Sequence, residues 1–255
     1  MSLESIILEK REGIAKITLN RPQALNALNE QIFSEIMAAL EDIGKDESVG
    51  VVVITGAGRA FSAGRDIKDL RERGTGERGG AGAETQVMAR ETIEAIENLP
   101  KPVIAMVNGY CLTGALELAM GCDVIIASEN AMFGDTHARW GLRPTWGLSQ
   151  RLPRAVGVMK AKELSFTADM ISAQEAERIG LINKVVPAEK LEEATKELAE
   201  KMLSNSRGSI AAYKYLINQG MKADLATGLR IEAEAVITIE DAQERLQSFG
   251  RGTRA

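Results

Sequence analysis

Glu117, in the stretch GALELAMGCDV, is a lone carboxylate among Ala115, Leu116, Leu118, Ala119 and Met120. A helix this apolar on every side is buried, and a carboxylate inside it is costly unless it is partnered or reacts. The structural alternative is an ion pair with an arginine. Gly114 lies three residues earlier, so its amide and the Glu117 side chain share one helical face. A hydrogen-bond donor and an acid–base group then point into the same space.

Two segments are built alike: VVVITGAGRAFSAGRDI and VIAMVNGYCLTGALEL each run from a buried strand through a glycine-containing turn into a helix. Free amides at helix starts attract negative charge. Two such turns facing each other clasp an oxygen that is becoming an anion, which is what enolate chemistry on a thioester requires. On spacing alone the same segments also read as two ordinary helix starts of an α/β fold. ITGAG invites a dinucleotide reading, but TGAGRAFSAG has neither GxGxxG nor TGxxxGxG spacing, and no Tyr-x-x-x-Lys pair occurs.

His137, in FGDTHARWG, is the only histidine. That rules out a multi-histidine zinc site, and CxxC and HExxH spacings are absent, so no metal is expected. A serine triad would have to use His137, and Ser149 in GLSQR does not fit the GxSxG elbow. Within its own segment His137 reads as a satisfied structural residue. Asp66 and Lys68 read as a solvated helix start, and Arg65 as a surface residue or a phosphate contact.

The elements that must position these groups follow from apolar periodicity. Strands are expected at 6–9 and 14–19, joined by a turn at Glu12-Gly13. The Arg21-Pro22 step favours extended or turning chain. Ile32, Ile36, Leu40 and Ile43 fall on one face of a helix over 30–43. VGVVVITG, β-branched without polar alternation, suits a central parallel strand covered on both faces. After Gly56 the chain reads as irregular through AGRAFSAGRDI and then as helical to Arg73. GTGERGGAG, from Gly74 to Gly82, reads as a mobile loop or lid. A helix over 84–98 stops at Pro100; PVIAMVNGY is a buried strand, TGALELAMGCD a short helix and DVIIAS another strand.

Beyond about Trp146 the pattern turns helical. Ser172 and Glu175 have capping-box spacing, and Gly180 can end the helix they start. LINKVVP is a short strand, followed by helices over 188–203, 209–220 and 224–249 and the basic tail GRGTRA. No Pro/Ser linker and no fixed-period repeat interrupts the chain. The strand–helix–strand rhythm gives an α/β fold with mostly parallel pairing, a core over 1–195 and a helical region over 196–255.

Composition narrows the function classes. The net charge of −5 argues against a nucleic-acid surface. No apolar run approaches the ~20 residues that span a bilayer, so no membrane partner is expected. The opening MSLESIILEKREG lacks a basic n-region and an apolar h-region, and two cysteines, Cys111 and Cys122, suit a reduced compartment. A cytoplasmic setting is the expectation.

Taken together these residues resemble the crotonase (enoyl-CoA hydratase/isomerase) superfamily over nearly the whole chain. NRPQALNAL is similar to the family's early CoA-contacting stretch, with Ala24 inside it. AFSAGRDI and NGYCLTGALELAMGCDVIIAS are similar to its two oxyanion segments, and FGDTHARWGLRPTWGLSQRLPR and AQEAERIGLINKVVP match in order and spacing. The resemblance implies ββα core units, a C-terminal helical region, and a homo-trimer or dimer of trimers. It assigns the oxyanion amides to Arg65 and Gly114, the CoA path to Ala63, Arg65, Asp66, Ile67, Lys68 and Gly114, and the first catalytic glutamate to Glu117. Phe249 resembles a residue reaching a neighbouring CoA site, although the lysine usual just after it is not matched. CoA would arrive within the acyl-CoA thioester, with no separate cofactor.

Two departures stand out. Arg65 occupies a place where the hydratases carry a small residue; its side chain either narrows the pocket or binds phosphate or acid. His137 occupies the place of the second catalytic glutamate. A histidine can hydrogen-bond the attacking water and titrates near neutrality, so this position promotes His137 to a site residue. The expected reaction is hydration of a 2-enoyl-CoA to a 3-hydroxyacyl-CoA. Double-bond isomerisation with Glu117 alone is the alternative within enzymes, and non-catalytic acyl-CoA binding the alternative outside them.

Overall fold

The computed structural model describes residues 3–74 and 81–248. The chain opens with a hairpin, β1 (Ile6–Arg11) and β2 (Ile14–Leu19), turned by Glu12 and Gly13, both at positive φ as a tight two-residue hairpin turn demands. A 3-10 turn at Pro22–Ala24 follows, then α1 (Glu30–Lys45), capped by the Asn29 side chain accepting from the Ile32 amide. Ile32, Ile36, Leu40 and Ile43 are all buried, as their spacing requires.

Next come β3 (Val51–Gly56), β4 (Ala60–Ser62), α2 (Ile67–Arg73), α3 (Ala81–Asn98), β5 (Val103–Val107), β6 (Tyr110–Leu112), α4 (Gly114–Ala119), β7 (Val124–Ser128) and β8 (Met132–Gly134). The second half holds α5 (Leu148–Val156), α6 (Val158–Thr167), β9 (Met170–Ser172), α7 (Ala173–Arg178), β10 (Lys184–Val186), α8 (Leu191–Leu203), α9 (Arg207–Gly220), α10 (Leu225–Glu234) and α11 (Ala242–Ser248). Ser172 caps α7 by accepting from the Glu175 amide, and Gly180 follows at positive φ. No helix among the described residues is long and apolar enough to cross a membrane.

Six strands form one sheet in the order β1-β2-β3-β5-β7-β10, parallel except for the opening hairpin. Its central strands β3 and β5 are buried at every residue. Val52 and Ile54 face the larger apolar cluster with α1 and α3, while Val51, Val53, Ile104 and Met106 face Leu191 and Ala199 of α8. This two-sided burial explains the unbroken β-branched run.

The second sheet has the order β4-β6-β8-β9. Strands β4, β6 and β8 are parallel neighbours, with Ser62 beside Cys111, and Cys111 beside Phe133. Each of the large-sheet strands β3, β5 and β7 thus passes directly into a three-residue strand of the small sheet. The chain from AGRAFSAGRDI is therefore not irregular throughout: AFS is β4, held by its ladder with β6 rather than by any pattern of its own. Likewise PVIAMVNGY is not one strand, because it ends at Val107 and restarts as β6.

The stretch expected as one helix over 224–249 is two, α10 and α11. Between them the chain is extended at Ala235 (ψ 120°), and Val236, Ile237, Thr238 and Ile239, β-branched and poor in helix propensity, occupy the break. Asp241 anchors its far end by accepting from the Ser206 hydroxyl at 2.5 Å. The glycine-rich loop expectation falls mostly on residues outside those described; at its edges Gly74 ends α2 and Gly82 lies within α3. Phe249 also lies outside the described residues.

Candidate active site

The small sheet gathers the candidate residues. Strand β4 leads into Ala63-Gly64-Arg65, β6 into Thr113-Gly114, and β8 into Asp135-Thr136-His137. Because the three strands lie side by side and run the same way, their carboxyl ends deliver three turns, distant in sequence, to one place. Ligands sit at this end of parallel strands as a rule.

The first two turns touch. Gly64 has φ +90°, and a Cβ there would stand 2.6 Å from Thr113 Oγ1, 2.7 Å from the Leu112 carbonyl and 3.2 Å from the Gly114 nitrogen. Thr113 itself has φ 51° and ψ −115°, a strained conformation for a β-branched residue, held by its amide donating to the Gly134 carbonyl at 2.8 Å. Gly114 opens α4, so its N–H has no acceptor one turn earlier in the helix. Arg65 bridges to Leu28, whose ladder bonds use the Gly64 carbonyl (2.8 Å) and the Asp66 amide (2.8 Å). In a parallel ladder this turns the Arg65 N–H away from Leu28.

Glu117, on the first turns of α4, is 1% exposed. Its Oε1 accepts from the backbone amides of Trp146 (2.9 Å) and Leu148 (3.0 Å), and its Oε2 lies 3.8 Å from His137 Nε2. The partner is thus not an arginine: two amides and an imidazole surround the carboxylate. Burial pushes its pKa up, and the amides and the His137 charge counter this only in part.

His137 follows β8 and precedes a 3-10 turn at Ala138–Trp140. Its Nδ1 lies 2.6 Å from Asp135 Oδ1, which also accepts the His137 backbone amide at 3.2 Å. Burial opposes the Asp135 charge, but the His137 contacts and the Ser165 hydroxyl outweigh it and hold the carboxyl below its ordinary range. The result is a row, Asp135–His137–Glu117, with both carboxylates buried and the imidazole between them partly exposed.

Trp146 secures that row. Its ring stands where a Gly114 side chain would be, 2.2 Å from an ideal Cβ, packs edge-on against Phe33 at 5.2 Å, and donates its indole N–H to Gln86. Any side chain at position 114 therefore displaces the group whose amide holds Glu117.

The residues expected along a CoA path form a second strip. The Ala63 amide donates to the Leu25 carbonyl at 2.9 Å, next to Ala24 at the end of its 3-10 turn. Leu25 and Asn26 both have positive φ, and the buried Asn26 side chain fixes them by donating to the Ala57 and Ala60 carbonyls and accepting from the Arg21 amide. Asp66 is no solvated helix start: it caps α2 through the Lys68 amide and pairs with Arg21 at 2.8 Å. Ile67 and Lys68 are exposed at the rim. The Arg65 side chain is nearly buried and pairs with Asp69 of α2 at 3.2 Å.

Four contributors were not read from the sequence. Asp135 was visible as a carboxylate two residues before the histidine. Asn26 carried a weaker signal, an amide after a Pro turn. The Trp146 and Leu148 amides carried none, since backbone donors leave no mark in residue type.

The sequence model of the enoyl-CoA hydratase/isomerase family matches residues 9–251. A short-chain-enoyl-CoA hydratase of Clostridium acetobutylicum is 42% identical over 253 residues, covering 98% of this chain and 95% of its own. A crotonyl-CoA hydratase of Syntrophomonas wolfei is 41% identical, covering 98% and 96%. The crystal structure of an enoyl-CoA hydratase from Bacillus anthracis superposes with a TM-score of 0.91 at 40% identity, over 97% of this chain and 96% of that one.

Proposed function

This chain belongs to the enoyl-CoA hydratase/isomerase family, and from that premise we propose that it hydrates a 2-enoyl-CoA to a 3-hydroxyacyl-CoA, or runs the reverse dehydration. The observation that carries this reading is the pair Glu117 Oε2 and His137 Nε2, 3.8 Å apart beside the Gly114 turn. That gap is too long for a direct hydrogen bond but suits two groups sharing one water, whose oxygen sits about 2.8 Å from each acceptor.

In this reading the thioester oxygen is held by the Arg65 and Gly114 amides, which stabilise the enolate. Removing one such donor costs on the order of 3 kcal/mol in comparable sites. Water adds through oxygen to C3, Glu117 takes its proton, and that proton is passed on to C2, so that the pair ends as it began. Burial supports Glu117 in this work, because a raised carboxyl pKa makes it a stronger base when ionised. Ala24, Ala63, Asp66, Ile67 and Lys68 line the CoA path. With Asp66 tied to Arg21, its part is to shape the strip, while exposed Lys68 suits the phosphates. The Arg65 side chain, paired with Asp69, braces the α2 start rather than reaching substrate. No metal or redox cofactor enters; CoA comes with the substrate.

We assign the acyl-CoA site to residues 1–195 and assembly to 196–255, as a trimer or dimer of trimers in the cytoplasm. Exposed Met221, Leu225, Leu229 and Val236 support the assembly, and the free Cys111 and Cys122 suit a reducing setting.

Isomerisation is the second reading, favoured by Glu117 being the one carboxylate of the pair. Purified protein with 2-enoyl- and 3-enoyl-CoAs of several chain lengths separates the cases. Loss of the 2-enoyl absorbance is expected. Its appearance from a 3-enoyl substrate makes the chain an isomerase, and binding without turnover makes it an acyl-CoA-binding protein.

A further inference from the structure

A carboxylate in place of His137 would offer the water an acceptor in any orientation. An imidazole does so only if the nitrogen facing Glu117 is unprotonated. We propose that Asp135 is the positioning residue that makes His137 serve as that acceptor, by holding the ring proton on Nδ1. This rests on the hydration reading given above.

The geometry is specific. Asp135 Oδ1 is 2.6 Å from Nδ1, a short charge-assisted contact. An ionised carboxylate only accepts, so the proton of this contact belongs to Nδ1. In the neutral ring Nε2 then carries a lone pair, and it is Nε2 that faces Glu117 Oε2 at 3.8 Å. Two acceptors converge, and one water satisfies both with its two hydrogens. The other neutral tautomer would present an N–H to the water instead of a lone pair, leaving Glu117 as the only acceptor for its hydrogens.

The surroundings fix this choice. Asp135 is 3% exposed and lies among Leu116, Phe133, Leu152 and Leu164, a setting in which no solvent competes for its oxygens. The same Oδ1 holds the His137 amide, so backbone and ring are tied to one atom. Both residues lie in the turn that leaves strand β8, and the ladder of β8 with β6 sets where that turn begins relative to α4.

Because His137 is the only histidine, long-range 1H–15N spectra of tag-free, 15N-labelled protein show one imidazole without assignment. With the ring neutral, the wild type is expected to show protonated Nδ1 and unprotonated Nε2. Asp135→Asn keeps the side-chain shape and an acceptor for the His137 amide but removes the charge. It is expected to shift the ring toward the Nε2–H tautomer and to lower hydration by roughly 10²-fold with KM little changed. An Nε2–H ring in the wild type overturns the proposal, as does an Asp135→Asn variant with wild-type tautomer and turnover. The wild-type spectrum decides even if the variant does not fold. Since it is recorded without substrate, a locked Nδ1–H ring in a protein that hydrates nothing contradicts the reaction proposed and supports the role of Asp135.

Discussion

At the scale of single residues, the apolar run around Glu117 told that the carboxylate was buried, and it is. What the run could not tell was its partner. The expected competitor, an arginine, is replaced by the Trp146 and Leu148 amides and by His137. This environment has a consequence for pH. Burial raises the Glu117 pKa above the ordinary 4.5, so as pH falls the carboxyl takes up its proton earlier than a solvated glutamate. The acid limb of kcat/KM should therefore lie above 4.5 and vanish in Glu117→Gln. The stability sign is opposite: a folded state that binds this proton more tightly gains stability from the group as pH falls through its folded pKa. Activity lost over that window with no fall in the melting temperature is the expected result; loss of both together assigns the limb to unfolding.

At the scale of elements, the long strands and amphipathic helices were legible because burial writes a period into the sequence. VVVITG and the Ile32 to Ile43 stripe are cases in point. The strands β4, β6 and β8 were not, since three residues carry no period and exist through their mutual ladders. Yet they set the site, bringing Arg65, Gly114 and His137 to a common end. Their repeat was hidden because β3 and β5 begin 52 positions apart and β5 and β7 only 21 (51, 103 and 124). The two glycine turns were recognised in sequence; their contact was not. Gly64→Ala tests it. At φ +90° and 2.6 Å from Thr113 Oγ1, the added methyl pushes the turns apart. Turnover should drop by about 10²-fold, the scale of losing one oxyanion donor, while circular dichroism shows a folded protein destabilised by roughly 1–3 kcal/mol. Unchanged turnover would mean the turns act independently.

At the scale of the whole molecule, α9 of the C-terminal region is tied to the core by polar contacts. Lys214 of α9 is buried and donates to the Ile96 and Lys101 carbonyls and to Asp123 at 2.8 Å, just after α4. No sequence pattern announces such a tie, because a lysine on an amphipathic helix reads as solvated. The break between α10 and α11 has a local mark in its β-branched run, but its seating depends on Ile239 and Asp241 meeting Gly208 and Ser206. The fold class and the order of the longer elements of the first half were thus readable, while the short strands and the long-range polar contacts that seat them were not. The account as a whole depends on one group, and turnover of a short 2-enoyl-CoA by Glu117→Gln against wild type tests it most directly. Loss of at least about 10²-fold in kcat is predicted for removal of the base, with the folded state retained. Wild-type turnover in Glu117→Gln would contradict it.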